Sequence, residues 1–219
     1  MKSYCHIFIL LVLSSTTCVS QNWNLIWEDE FNGNSLDSSK WIHDIGTGSQ
    51  YGLYGWGNSE LQFYQPQNTI LNNGSVKIIA NLEPNGIVDS WNNTMYYSSS
   101  RITTREKFDF RYGKVEARIK TVDGQGFWPA FWMLGANKPE IGWPGSGEID
   151  IMEMLGNAPQ TVYGTLHYVN EDNELRSSGD SKSLVQGKYS DDYHIYAIEW
   201  TPEKITWFID NEQYHQVTI

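Results

Sequence analysis

Covalent cross-links are almost wholly missing from this sequence: its 219 residues hold two cysteines, Cys5 and Cys18, and both fall in its opening stretch. A domain that begins after them has no disulfide to brace it and is held by packing alone. Long apolar runs are missing as well. The longest, Ile7 to Leu13, falls far short of the ~20 residues a membrane-spanning helix needs. Basic charge is scarce, with 15 Lys and Arg against 26 Asp and Glu and a net charge of -11. That balance argues against nucleic acid or an anionic polysaccharide as partner and in favour of a neutral ligand. After residue 21, no stretch sustains the 3.6-residue period of a helix.

What is present is enough for one packed domain, since 40% of the residues are hydrophobic and 14% aromatic. This excludes a disordered chain. Lys2, the apolar run and the small residues of Cys18-Val19-Ser20 read together as a secretory signal peptide over residues 1–20. Residues 21–219 are then the exported domain, secreted and extracellular. A lipid-bearing Cys18 would need small and apolar residues before it, and Ser15-Thr16-Thr17 fits that poorly. Asn73-Gly74-Ser75 and Asn92-Asn93-Thr94 have the form of glycosylation acceptors.

Period-two alternation broken by Gly, Asn, Asp and Pro clusters predicts an all-β fold. In Lys114 to Lys120, Val115, Ala117 and Ile119 alternate with charged residues, as in a strand with one face on a core and one in water. Similar strands are expected over Val76 to Ala80, Val162 to Val169 and His194 to Trp200. Ile205 to Ile209 reads as a strand, Asp210-Asn211-Glu212 as a turn, and Tyr214 to Ile219 as the return. Short strands at this spacing predict a two-sheet β-sandwich or jelly roll. The 10 Trp and 13 Tyr exceed what a core requires, and flat aromatic faces suit the C–H surfaces of sugar rings.

The segment Gly147-Glu148-Ile149-Asp150-Ile151-Met152-Glu153 puts acids into a run otherwise suited to burial. Regular pleating sets Glu148 and Asp150 on one face and Glu153 on the other. A β-bulge at Met152 would return Glu153 to the face of the other two. The two glutamates would then lie about 13 Å apart at Cα, close enough for their side chains to lean towards the ~5–5.5 Å carboxyl separation of a retaining glycosidase. In that reading Glu148 is the nucleophile, Glu153 the acid/base, and Asp150 couples to both. A polar edge strand and a cation site remain open alternatives on residue chemistry alone.

The same segment resembles the signature of glycoside hydrolase family 16, in the laminarinase-like members that carry an extra residue before the second glutamate. The likeness extends to Trp27 to Gly33, Gly55 to Gln62, Gly124 to Gly135 and Gly164 to Tyr168, in the family's order. It implies a β-jelly roll with a concave substrate cleft and internal hydrolysis, with retention, of β-1,3-glucan or mixed-linkage β-glucan. It further implies Trp128, Trp132 and Trp143 as cleft tryptophans and Asn58 and Glu60 as sugar-hydroxyl partners. Arg101 matches a cleft arginine that would donate to hydroxyls or steady Glu148, and His167 would face the cleft near the acid/base end. Family members normally continue past Ile219 through further strands, so on this comparison the C-terminal strands are missing and the domain is C-terminally incomplete.

The first expectation is therefore a secreted, monomeric endo-β-1,3-glucanase that needs no cofactor, touches neither nucleic acid nor membrane, and takes β-glucan as partner. A structural calcium ion is left open. A β-1,3-glucan-recognition protein without turnover is the second reading. A galactan hydrolase or transglycosylase on the same fold is the third, and the acidic charge weighs against sulfated galactan.

Overall fold

The computed structural model describes residues 23–219; the signal segment expected over 1–20, with both cysteines, lies outside the described residues. The early strands are β1 (Ile42–Asp44), β2 (Gln62–Tyr64), β3 (Thr69–Leu71), β4 (Val76–Ile78), β5 (Asn81–Val88), β6 (Thr94–Ser99) and β7 (Arg101–Thr103). Next come β8 (Gly113–Ile119), β9 (Ala130–Leu134), the short helix α1 (Lys138–Ile141), β10 (Glu148–Glu153), β11 (Thr161–Val169) and β12 (Leu175–Ser183). Last are β13 (His194–Trp200), β14 (Lys204–Ile209) and β15 (Glu212–Thr218).

Two antiparallel sheets carry the architecture, one in the order β12-β11-β10-β9 and the other in the order β15-β14-β13-β8. The alternation expected in β8 holds, with Val115 and Ile119 packed on the core and Glu116 and Arg118 exposed. Between the sheets lie Ile149, Ile151, Met152 and Met154 from one side and Tyr196, Ile198, Ile205, Trp207 and Ile209 from the other. Each such side chain contributes about 1.5–3 kcal/mol by leaving water. The chain is a β-sandwich of the jelly-roll class. Among the described residues, no helix is long and apolar enough to cross a membrane.

Smaller pairings extend the frame: β1 with β7, β3 with β4, and β2-β6-β5, in which β2 and β6 are parallel. The strand expected over Val76 to Ala80 is split, because β4 ends at Ile78 and β5 begins at Asn81. The turn expected after Ile209 is present, with Asp210 and Asn211 at φ 52° and 66°. Paired left-handed residues of this kind match the twist of a tight hairpin.

One contact ties the sheets together at the acidic strand. The indole N–H of fully buried Trp207 donates to the Asp150 carbonyl at 2.8 Å. Opposite this point, β11 carries Gly164, where a Cβ would stand 2.4 Å from Tyr214 Oη and 2.5 Å from Trp207 Cδ1. Trp207 is fully buried and its indole N–H is bonded to Asp150, so it has little room to yield. Gly164→Ala is therefore expected to destabilise the fold by about 1–3 kcal/mol through overpacking, read as a fall in Tm of about 2–4 °C per kcal/mol. An unchanged thermal melt followed by circular dichroism would show that the Trp207 cage has slack.

Candidate active site

In β10 the pairing with β9 runs Asp150 to Trp132 and then Met152 to Phe131, so Ile151 is the extra residue. Against β11 the register shifts between Asp150, opposite Thr165, and Glu153, opposite Tyr163. The bulge anticipated at Met152 is thus shared by Ile151 and Met152, both buried at 0% and 1% exposure. Ile149, Ile151, Met152 and Met154 all join the core. Glu148, Asp150 and Glu153 consequently share the opposite face.

Asp150 is only 3% exposed. Burial pushes its carboxyl up to about 8, and the charges of Glu153 and Glu148 with a hydrogen bond to Glu148 act in the same direction. Burial also raises Glu153, opposed by a hydrogen bond that the Trp128 indole donates to Oε1 at 3.0 Å. The Glu148 charge raises Glu153 further, and the His167 ring lowers it. At neutral pH the row therefore holds a proton on Asp150 that an exposed aspartate would have lost.

The predicted aromatics line this face without joining the core. Trp128 is 49% and Trp143 47% exposed, and the Trp143 ring lies 6.3 Å from that of His167 at a 52° tilt. Beside Glu153 is a hollow of about 250 Å³ lined by Trp128, Met154, Leu155 and Tyr163. A larger hollow of about 380 Å³, lined by residues including His43, Pro66 and Thr69, contains none of the candidate residues. It is the acids, not the larger of these two hollows, that mark the site.

Two expectations need correction. His167 does not stand at the acid/base end: the antiparallel register sets it opposite Glu148, and its Nε2 lies 3.2 Å from Asp150 Oδ2. Arg101 does not reach for Glu148 either. Its Nε is 3.0 Å from Oδ2 of buried Asp44, directly opposite it on β1. Its guanidinium is clamped between Trp56 and Trp132, 4.7 and 4.6 Å from the ring centres. A carboxylate that has left water and two stacking rings hold it more firmly than a solvated partner would.

Asn58 and Glu60 lie together in the Gly55 to Gln62 loop, bonded to each other: the Asn58 amide donates to Glu60 Oε1 at 3.3 Å. Glu60 Oε2 also accepts from Gln62 at 2.6 Å and from the Tyr64 hydroxyl at 2.7 Å. Gly55, at φ 49°, permits the turn, since a Cβ there would meet the Glu60 backbone nitrogen at 2.5 Å. Tyr64 packs at a tilt against Trp56, which continues the contact through Arg101 to Trp132.

Sequence reasoning missed Asp44, Arg105, Lys138 and Ser177. Arg105 Nη2 is 3.0 Å from Asp44 Oδ1, an ionic contact without hydrogen-bond alignment. Lys138, on α1, is held below the usual lysine range by partial burial and the Arg101 charge, with Glu148 acting oppositely. Ser177 meets His167 at 2.6 Å from the neighbouring strand. Only distant pairing brings these groups in. A faint signal existed for Lys138 alone, a cation shortly after the tryptophan-rich segment.

Glu148, Asp150 and His167 offer atoms within 4.8 Å of one another, close enough to surround a metal ion. One of the three is an imidazole, which disfavours calcium, and the His167 ring is engaged with Asp150 Oδ2 at 3.2 Å. The trio is joined by the contact of His167 with Asp150 and the bond of Asp150 to Glu148.

Three acids on one face of a jelly-roll sheet, with exposed tryptophans beside them, are the arrangement a carbohydrate-active site calls for. Residues 55–219 match glycosyl hydrolases family 16, and the chain belongs to that family. It is 38% identical over 200 residues to glucan endo-1,3-beta-glucosidase A1 of Niallia circulans, covering 89% of this chain and 29% of that protein. Identity to the beta-glucanase of Rhodothermus marinus is 39% over 202 residues, or 89% of this chain and 65% of that one. The chain thus spans less than two thirds of both relatives. The laminarinase catalytic domain from Thermotoga maritima MSB8 superimposes with a TM-score of 0.83 at 40% identity, covering 90% of this chain and 78% of that domain.

Between an unfolded value near 3.8 and a folded value of about 8, Asp150 keeps a proton in the native chain that the unfolded chain has released. Its contribution to stability is therefore full below the lower value and drains away as pH rises to the upper one. The Tm of the wild type is expected to fall more between about pH 5 and about pH 8 than that of Asp150→Asn, which has no proton to lose. Parallel Tm-against-pH curves would contradict the buried proton.

Proposed function

We propose that this chain is an endo-acting β-1,3-glucanase that cleaves laminarin-type or mixed-linkage β-glucan with retention of the anomeric centre. The observation that carries this reading is the bulge of β10, which gathers Glu148, Asp150 and Glu153 on one face. Glu148 attacks the anomeric carbon while Glu153 gives its proton to the departing glycosidic oxygen. Glu153 then takes a proton from water, which displaces Glu148 from the sugar. Raised by burial, Glu153 stays protonated above the usual glutamate range, as a general acid requires. No cofactor enters these steps.

Exposed Trp128 and Trp143 suit stacking on sugar rings at the two ends of the acidic row. Trp132 and Arg101, clamped together, form a fixed wall beside it. The open face suits a polymer entering along its length, which favours internal cleavage. A secreted monomer acting on neutral glucan outside the cell fits the acidic charge and the signal-like opening.

The test is incubation with laminarin, lichenan, agarose and xyloglucan, followed by product sizing and anomer analysis. Oligosaccharides are expected from laminarin, with Glu148→Gln slower by on the order of a thousandfold or more. Tight laminarin binding without products would instead make the chain a recognition protein. Products from agarose, or chain-length exchange on xyloglucan, would move it to galactan hydrolysis or transglycosylation, and an inverted anomer would remove Glu148 as nucleophile.

Trp128→Phe supplies a finer prediction. The lost N–H stabilises ionised Glu153, so without it Glu153 keeps its proton to higher pH. The alkaline limb of the kcat/KM profile should move upward, and a downward or absent shift would refute the bond's role.

A further inference from the structure

Ser177 of β12 lies directly opposite His167 of β11, which lies directly opposite Glu148 of β10. The three form one row across the sheet. Opposed residues on antiparallel strands project from the same face with Cβ atoms about 4.5–5.5 Å apart. In this row the Ser177 hydroxyl is 2.6 Å from His167 Nδ1. At the other side of the same ring, Nε2 is 3.2 Å from Asp150 Oδ2. Both ring nitrogens are engaged, by groups from two different strands, and Trp143 leans over the ring 6.3 Å away.

The partners decide where the imidazole proton sits. A neutral ring has one N–H and one lone pair, and the bond at one nitrogen fixes the role of the other. The Ser177 hydroxyl can donate a hydrogen bond to Nδ1. That leaves the ring proton on Nε2, directed at the Asp150 oxygen, and Asp150 and Glu148 in turn bring carboxylate oxygens within 4.8 Å of each other, where Asp150 is hydrogen-bonded to Glu148. Every donor in the series then points towards Glu148. Without the Ser177 hydroxyl, Nδ1 faces water and either tautomer is available.

We propose that Ser177 is a positioning residue of the reaction: its hydroxyl donates to His167 Nδ1, locks the Nε2–H tautomer onto Asp150, and so holds the Asp150 O–H against Glu148. The proposal rests on the reading of Glu148 as nucleophile. The chain moves no proton. When the bond between the anomeric carbon and Glu148 breaks, its electron pair returns to the carboxylate, and the waiting Asp150 O–H stabilises the charge. Water forms the new bond to the anomeric carbon and gives its proton to Glu153. A donor already aimed at the place where charge develops is worth more than one that must reorient.

Ser177 is exposed, so loss of its hydroxyl leaves the fold standing. The test is steady-state kinetics on laminarin with the full chain, comparing wild type, Ser177→Ala and Ser177→Thr, together with the ¹⁵N shifts of His167. Ser177→Ala should lower kcat about tenfold with KM within about twofold, and Ser177→Thr, which keeps the hydroxyl, should restore it. The His167 ring should carry its proton on Nε2 in wild type and Ser177→Thr and become a mixture of tautomers in Ser177→Ala. Unchanged kcat in Ser177→Ala, or a wild-type ring protonated at Nδ1, would overturn the proposal. So would a raised KM at constant kcat, which would mean that Ser177 simply touches the sugar. A wild type that releases nothing from laminarin would defeat the broader functional reading instead, and the ring shifts would still decide the tautomer.

Discussion

A strand pressed against a core on one side can offer its other side only every second residue, and β10 has more to present than that rule permits. Four apolar side chains, Ile149, Ile151, Met152 and Met154, belong to the core, while three acids must face away from it. The extra residue at Ile151 and Met152 satisfies both demands within one short segment. Such an interruption needs support where the ladder is broken. Trp207 reaches from the opposite sheet to cap the Asp150 carbonyl, and Gly164 leaves it room. The centre of the sandwich and the centre of the site are held by the same contact.

Concentrating acids in this way has an electrostatic consequence that the surroundings shape. Burial favours protonating Asp150 and Glu153, and repulsion from the neighbouring acids adds to it. Neighbouring elements then separate the members: the Trp128 indole and the His167 ring lower Glu153 against its burial, while nothing comparable lowers Asp150. The strongest permanent cation nearby is kept out of the row. Arg101 is tied to Asp44, with Arg105 on the same carboxylate, so its charge is largely answered before it reaches Glu148. A free arginine at that place would drain the proton from Asp150.

Much of this was written in short-range pattern. The alternation of Lys114 to Lys120, the strand from His194 to Trp200 and the out-of-phase Glu153 follow from period two and its violation. What escaped was settled by long-range register. Nothing local says that His167 faces Glu148, because that depends on how β10 and β11 slide past each other. Arg101 finds Asp44 across a strand pair whose members are far apart in sequence. Ser177 sits in Leu175 to Ser183, a polar edge strand with no apolar alternation to announce its faces. The split of Val76 to Ala80 likewise reflects a change of partner that composition does not record.

The clamp of Arg101 between Trp56 and Trp132 has a further effect. It stitches the loop bearing Asn58 and Glu60 to the strand beside the acids, through Tyr64, Trp56 and the guanidinium. A wall assembled in this way loses its rotational freedom when the chain folds, not when a ligand arrives. The wall beside the acids is a template cut in advance, and a ligand settling against it has mainly its own flexibility to surrender.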